Sequence, residues 1–150
     1  MECLERSLAC FRDLGAPFQE GMALRRLGLA YCDQGRFEDA VNCLRQSLAL
    51  CREVQDLHGE AIIRGSLGEV HYHAGFHHGA IECYGESLRI HREIGDRRRV
   101  AEMLWRLGYA QHTLGLHRQA RACWREARGI FREVGVPFPR RREPGRPSWS

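Results

Sequence analysis

Residues 21–60 read GMALRRLGLAYCDQGRFEDAVNCLRQSLALCREVQDLHGE, and this stretch decides the fold because its pattern recurs every 40 residues. Apolar residues follow helical spacing on one face before Gly35, and they do so again after it. A glycine at this point suits the left-handed end of a helix. The stretch therefore predicts two amphipathic helices joined by a tight reversal of the chain.

Several independent columns of residues share the 40-residue spacing, which is typical of a repeat architecture. Each unit has a Leu-Gly pair, a glycine at the reversal and an alanine after it: Leu27-Gly28, Leu67-Gly68 and Leu107-Gly108; Gly35, Gly75 and Gly115; Ala40, Ala80 and Ala120. The small residues lie mid-way along the first helix and early in the second, where they let two backbones approach closely. Because no stretch shows strand alternation, we predict an all-α protein.

The links between units also follow the repeat. Gly95 and Asp96 predict a helix stop followed by the N-cap of the next helix, and Gln55 and Asp56 predict the same with a weaker stop.

We divide the predicted array, residues 1–135, into a half unit 1–20 and units 21–60, 61–100 and 101–135. Residues 136–150 are rich in Pro and Arg, and we expect them to form a disordered tail.

The order of Leu-Gly, Tyr, Gly, Ala and a large apolar residue resembles the tetratricopeptide repeat. The first unit carries this pattern as Leu27, Gly28, Tyr31, Gly35, Phe37, Ala40, Leu44 and Leu48. The resemblance implies an α-α superhelical solenoid whose first helices line a concave groove that binds a protein or peptide. The family's usual unit has about 34 residues. The longer unit here resembles the arrays of large actinobacterial transcriptional regulators and of kinesin light chains.

Transferring the family's groove positions onto this sequence gives a predicted protein-binding set on the first helices. Its members are Arg25, Leu29, Asp33, Glu69, Tyr72, His73, Glu102, Trp105, Tyr109 and His112, and Cys32, Ile62 and Thr113 occupy further positions of this kind. Trp and Tyr combine apolar area with a polar group, as recognition surfaces do. We expect the partner's apolar anchor at Trp105 and positive charge at Arg25. The alternative is that Trp105 and Tyr109, one turn apart, pack against a neighbouring helix.

Histidines and cysteines are interpreted as packing residues. Four histidines close in sequence suggest a metal site: His71, His73, His77 and His78. However, His77 shares its column with Phe37, which is a packing pattern, so we predict neither a metal nor another cofactor. A further column holds Cys3, Cys43, Cys83 and Cys123. At least one helix lies between successive members, so the distance between their Cα atoms exceeds the ~7 Å limit for a disulfide. We therefore predict that all seven cysteines are reduced thiols.

The composition is that of one globular domain, with 43% hydrophobic and 28% charged residues. No apolar run approaches the roughly 20 residues of a membrane-spanning helix. The N-terminus lacks the features of a secretory signal, so we expect a cytoplasmic protein without membrane contact.

Four arginines and one glutamate after residue 139 supply +3 of the net charge of +4. We therefore do not expect a nucleic-acid partner.

The sequence as a whole favours an interaction scaffold over an enzyme, since it contains no phosphate-binding loop, nucleophile elbow or zinc-protease motif. By resemblance, the scaffold is a sensor or regulatory segment of a transcriptional regulator. The alternative is a structural module that self-associates by stacking through its ends. That alternative is based on the expectation that neither end has the polar capping helix that solenoids normally use.

Overall fold

The structure is a computed structural model that describes residues 1–137, and these residues form helices without any strand. The helices are α1 (Glu2–Asp13), α2 (Pro17–Asp33), α3 (Phe37–Glu53), α4 (Leu57–His73), α5 (His77–Glu93), α6 (Arg97–Thr113) and α7 (His117–Glu133). Helices α2 and α3, α4 and α5, and α6 and α7 pair as antiparallel hairpins, and α1 packs against α2. The predicted all-α solenoid of hairpins is confirmed.

Each link between helices is three residues long and reverses the chain through one residue of positive φ. Gly95 has a φ of 74°, and Gln55, which lacks the freedom of glycine, has a φ of 55°. Both predicted stops are therefore confirmed. The side chains of Asp56 and Asp96 accept hydrogen bonds from backbone N–H groups three residues further on, at 2.8 and 3.1 Å. These carboxylates satisfy donors that the first turn of a helix leaves without an intrahelical partner.

The helix bounds shift the repeat frame relative to the predicted units. The predicted boundaries after residues 20, 60 and 100 fall inside α2, α4 and α6, and each hairpin begins four residues before its predicted unit. A period fixes the spacing of a repeat but not its starting point, which the caps define. Most of the predicted tail, residues 138–150, lies outside the described residues. Val136, at its start, packs partly buried against the core of the last two hairpins.

Each hairpin is held by close contact between a glycine of its first helix and a large side chain of its second. A Cβ added at Gly68 would lie 2.7 Å from the ring of Tyr84, and one at Gly108 would overlap the ring of Trp124. A Cβ at Gly28 would lie 3.0 Å from the side chain of Leu44 and 3.1 Å from a backbone carbonyl oxygen of α3. The expected approach of two backbones therefore describes the first hairpin, whereas an aromatic ring fills the space in the other two.

The outer face of α7 differs from those of α3 and α5. Each of the earlier second helices has two apolar side chains in a core cluster that also contains residues of the following hairpin. These are Val41 and Leu48 on α3, and Ile81 and Leu88 on α5. At the equivalent positions α7 carries Arg121 and Arg128, which are both exposed. A polar outer face is how solenoids end a stack. The expectation of self-association through the ends of the array is not tested by this difference and stays a prediction.

The glycine contact is tested by a pair of substitutions in one hairpin. Gly68→Ala should lower the free energy of unfolding by about 1–3 kcal/mol, because the new methyl group displaces the buried ring of Tyr84. Gly85→Ala, on the opposite helix with nothing within 4 Å of the added Cβ, should raise it by about 0.5–1 kcal/mol through helix propensity. Urea unfolding followed by circular dichroism measures both values. Equal effects at the two positions would show that the ring does not constrain Gly68.

Candidate protein-binding surface

The first helices of the three hairpins, α2, α4 and α6, form one continuous surface, which we call the first-helix face. Helices α2 and α4 are in contact. Helices α4 and α6 are joined by a salt bridge of 2.7 Å between Arg106 and Glu69, and by a hydrogen bond of 3.4 Å between Tyr72 and Thr113. The ion pair is partly shielded from water, so it is screened less by salt than an exposed pair. These contacts place residues of separate units side by side.

All ten residues of the predicted binding set lie on these three helices, and none of them is fully buried. Asp33 and His112 are exposed near the C-terminal ends of α2 and α6, and the other eight side chains are partly buried. Glu69 and Glu102 are engaged by arginines within the protein. The ten residues therefore lie on the first-helix face and are at least partly accessible to solvent. Their contact with a partner stays a prediction.

Trp105 belongs to an aromatic cluster inside the third hairpin. Its ring centroid lies 5.1 Å from that of Tyr109 and 6.0 Å from that of Trp124 on α7. The indole N–H of Trp124 donates to the carbonyl oxygen of Trp105 at 3.2 Å, and the ring of His112 packs on Trp124 at 5.6 Å. Edge-on and tilted contacts at such distances are favourable for aromatic pairs. The structure thus favours packing against a neighbouring helix over an open anchor at Trp105.

An apolar cavity of about 150 Å³ opens elsewhere on the first-helix face, where α2 and α4 begin. Its apolar lining includes Phe18, Met22, Leu50, Val54, Ile62 and Ile63. Phe18 is 56% exposed and Met22 is 41% exposed, which is high for large apolar side chains. Of this lining only Ile62 was noted from the sequence. The predicted unit boundary after residue 20 separated Phe18 from Met22, although the two lie one turn apart on α2.

Arg25 and Arg99 bring positive charge to this cavity, and Asp56, whose side chain caps α4, is the single carboxylate in its lining. Burial and the nearby cations Arg99 and Arg26 lower the pKa of Arg25, and Glu69 offsets only part of this effect. Arg99 is paired with Glu102 at 2.9 Å, but Arg25 has no ion-pair partner within residues 1–137. An arginine stays charged at any physiological pH, and a partly desolvated charge without a counter-ion is unfavourable. The site is therefore suited to an anionic group beside an apolar one.

The four histidines close in sequence do not assemble a ligand cluster among the described residues. The ring of His71 packs edge-on against Phe76 at 6.4 Å, and that of His77 packs against Tyr72 at 5.1 Å. The structure instead brings together His58, His91 and Asp96, whose ligand atoms all lie within 4.8 Å of one another. This group was not predicted from the sequence, because its members come from three different elements and no short motif joins them.

The geometry describes a helical-repeat protein whose first helices form one continuous face. The tetratricopeptide repeat family model matches residues 2–53 and 59–133, and the chain belongs to this family. Repeats of this family generally mediate protein–protein interaction or scaffolding and are typically non-catalytic. No helix in the described part of the chain is long and apolar enough to cross a membrane.

A solved structure with the same fold is the crystal structure of BtubC (BKLC) from P. vanneervenii. It is similar with a TM-score of 0.81 at 19% sequence identity, covering 94% of this chain and 59% of that chain. The present chain therefore spans 59% of the length of that protein, and the likeness concerns the fold. No curated protein matches the chain.

The packing of Trp105 predicts a role in stability. Trp105→Ala should lower the free energy of unfolding by about 2 kcal/mol, since it removes a half-buried ring from the aromatic cluster. Gln119→Ala, exposed on the same hairpin, should change it by about 0.5 kcal/mol or less. Thermal and urea unfolding measure both variants. An unchanged melting temperature for Trp105→Ala would restore this ring as an open binding anchor.

The thiols should differ in reactivity according to burial. All seven cysteines are free in the structure, Cys3 and Cys10 exposed and Cys32 and Cys43 buried. Burial raises the pKa of Cys32 to about 11, with Glu69 and Asp33 adding to the effect, so its reactive thiolate is scarce near neutral pH. A thiol-reactive chromophore should therefore modify Cys3 and Cys10 first, and all seven once the protein is unfolded. Fewer than seven thiols after unfolding without reductant would indicate a disulfide.

Proposed function

We propose that this chain is an interaction scaffold that binds a peptide or protein segment along its first-helix face, with the main anchor in the cavity beside Arg25. One observation carries the proposal: an open apolar cavity adjoins a partly buried guanidinium that has no ion-pair partner in residues 1–137. A segment with an apolar side chain next to an acidic group would satisfy both features at once.

The apolar part of the proposal is based on size and exposure. A cavity of about 150 Å³ is comparable to one that accommodates a benzene ring, so this site would take one aromatic or branched aliphatic side chain. Binding would also cover Phe18, Met22 and Val54, which are 56%, 41% and 44% exposed. Exposed apolar groups that line a concave site are characteristic of ligand and peptide sites.

The acidic part is based on charge. A carboxylate beside Arg25 would form a charge-assisted hydrogen bond, and it would offset the repulsion from Arg99 and Arg26. Further along the face, Tyr72, His73 and His112 are accessible enough to donate or accept hydrogen bonds from the remainder of the segment. A peptide lying across the three first helices would therefore have one strong anchor and several weaker positioning contacts.

The regulatory role is a further part of this proposal. Binding of an acidic, apolar segment without any chemical change is the behaviour required of a sensor or regulatory module. The 40-residue unit resembles the arrays of large actinobacterial transcriptional regulators, which supports such a role in the cytoplasm. In this setting the bound segment would belong to another protein or to another part of the same regulator.

Two neighbouring arginines allow a matched test of the anchor. Peptides are selected from a displayed random library against the full chain, and their affinities are measured by fluorescence anisotropy. Arg25→Ala should weaken binding about 30-fold, because a central anchor contributes about 2 kcal/mol. Arg26→Ala, which removes the same charge from an exposed neighbouring position, should change the affinity by less than about 3-fold.

The selected peptides should share an acidic residue beside a large apolar one, and raising the salt concentration should weaken their binding. Arg25→Ala should leave the melting temperature unchanged or slightly higher, so a loss of binding would not reflect unfolding. Equal affinities for the two variants would contradict the anchor. A chain that forms concentration-dependent oligomers and selects no peptide would favour the self-assembly alternative.

A further inference from the structure

A cluster of potential metal ligands lies at the junction of the second and third hairpins. It lies outside the ten residues of the predicted binding set, although one of its members, His58, also lines the apolar cavity. His58 is in the first turn of α4, His91 is near the end of α5, and Asp96 is the N-cap of α6. Each offers a ligand atom, and these atoms lie within 4.8 Å of one another. The Nδ1 atom of His58 is 4.0 Å from Oδ2 of Asp96. No other group of this kind occurs in residues 1–137.

Burial of His91 is the second observation that points to a ligand. This side chain is 1% exposed, and its Nδ1 atom is buried without a hydrogen-bond partner in the described part of the protein. A buried polar atom without a partner costs roughly 1–3 kcal/mol. The aromatic contact of His91 with His58, at 5.8 Å between centroids, does not satisfy it.

The carboxylate of Asp96 is arranged to serve two purposes. One oxygen accepts the backbone N–H of Arg99 at 3.1 Å and caps α6, while the other faces His58. The nearby guanidinium of Arg99 is engaged by Glu102 at 2.9 Å, which reduces its repulsion of a cation at this point. A helix cap and a metal ligand therefore use different atoms of the same residue.

Among the three sets of equivalent positions in the repeats, only the junction of the second and third hairpins carries two histidines and an aspartate. The equivalent positions hold Phe18, Cys51 and Asp56 one unit earlier, and Arg98, Phe131 and Val136 one unit later. The aromatic residues at two of these sites show that the fold accepts Phe where His58 and His91 stand. Histidine is thus not required there for packing.

We propose that His58, His91 and Asp96 form a binding site for a divalent transition metal ion, with Zn²⁺ as the ion that best fits two imidazoles and one carboxylate. Zinc binds nitrogen and oxygen ligands at about 2.0–2.2 Å, so ligand atoms in a tetrahedral site are about 3.3 Å apart. His58 is exposed, so a change of its side-chain torsions would bring its imidazole closer to the other ligands, whereas His91 is buried and Asp96 caps α6. A bound ion would link the second hairpin to the third and stiffen the array.

The residues of the neighbouring units supply variants that remove ligands but keep the packing. His91→Phe and His58→Phe copy Phe131 and Phe18, and Asp96→Asn keeps a good N-cap while removing the charge. His78→Arg copies Arg118 at an exposed position on α5 and is the control. Circular dichroism of each variant without metal should match that of the original chain.

The test is a titration of the full chain with Zn²⁺ against a chromogenic chelator, under reducing conditions. The original chain and His78→Arg should bind one Zn²⁺ per chain, and each of the three ligand variants should bind at least 10-fold more weakly. Zinc should raise the melting temperature of the original chain but not that of His91→Phe. Co²⁺ in place of Zn²⁺ should give a spectrum without a thiolate charge-transfer band.

Two results would overturn the site. If His91→Phe bound Zn²⁺ as tightly as the original chain, or if Co²⁺ showed a thiolate band, the metal would be held elsewhere. Absence of binding at micromolar Zn²⁺ would show that the three residues serve only in packing and capping. Because the titration contains no peptide, its outcome is independent of the proposed binding of a partner.

Discussion

The contact between the central glycine of each first helix and the large side chain opposite it sets how closely the two helices of a hairpin approach. Leu44, Tyr84 and Trp124 occupy this position in the three successive hairpins. A larger side chain reaches further past the glycine, and Trp124 extends far enough to contact Trp105 and Tyr109 on α6. The third hairpin therefore covers aromatic groups of its own first helix. This explains why the most aromatic part of the chain does not contain the open apolar cavity.

The chemistry of the surface changes from one junction to the next, although the backbone repeats. At the first junction, Phe18 and Met22 leave an apolar cavity beside Arg25, which has no ion-pair partner within residues 1–137. At the second, two imidazoles and a carboxylate converge instead. A repeat of this kind separates the residues that maintain the fold, which lie in the hairpin contacts, from those that differ between units and change the chemistry of the surface.

Much of the fold follows from the sequence because its signals are local. The reversals, the caps at Asp56 and Asp96, and even the unusual stop at Gln55 are each decided by one or two adjacent residues. A period alone has no phase, so the predicted units begin four residues after the hairpins do. In the predicted units Phe18 and Met22 therefore fall on opposite sides of a boundary, and the sequence does not reveal the cavity that both of them line.

The candidate binding surface was less predictable than the fold, because its properties depend on contacts between residues that are distant in the sequence. A spacing of one turn between Trp105 and Tyr109 fits both an open surface and a packed one, and Trp124 on the next helix decides between them. Positive charge at Arg25 was expected, but the absence of an ion-pair partner for it among residues 1–137 is a property of the folded chain. In the same way, His58 and His91 come together only because the helices that carry them pack side by side.

The polar outer face of α7 limits how this array can be altered by gene duplication or protein engineering. A copied hairpin placed after α7 would meet Arg121 and Arg128 where every earlier hairpin meets aliphatic side chains. Extension at that end therefore requires several simultaneous changes of polarity. A unit inserted between α3 and α4 would meet apolar partners on both sides, and it would lengthen the first-helix face without disturbing the metal-ligand cluster at the later junction. Growth of the array is thus easier from its interior than from this end.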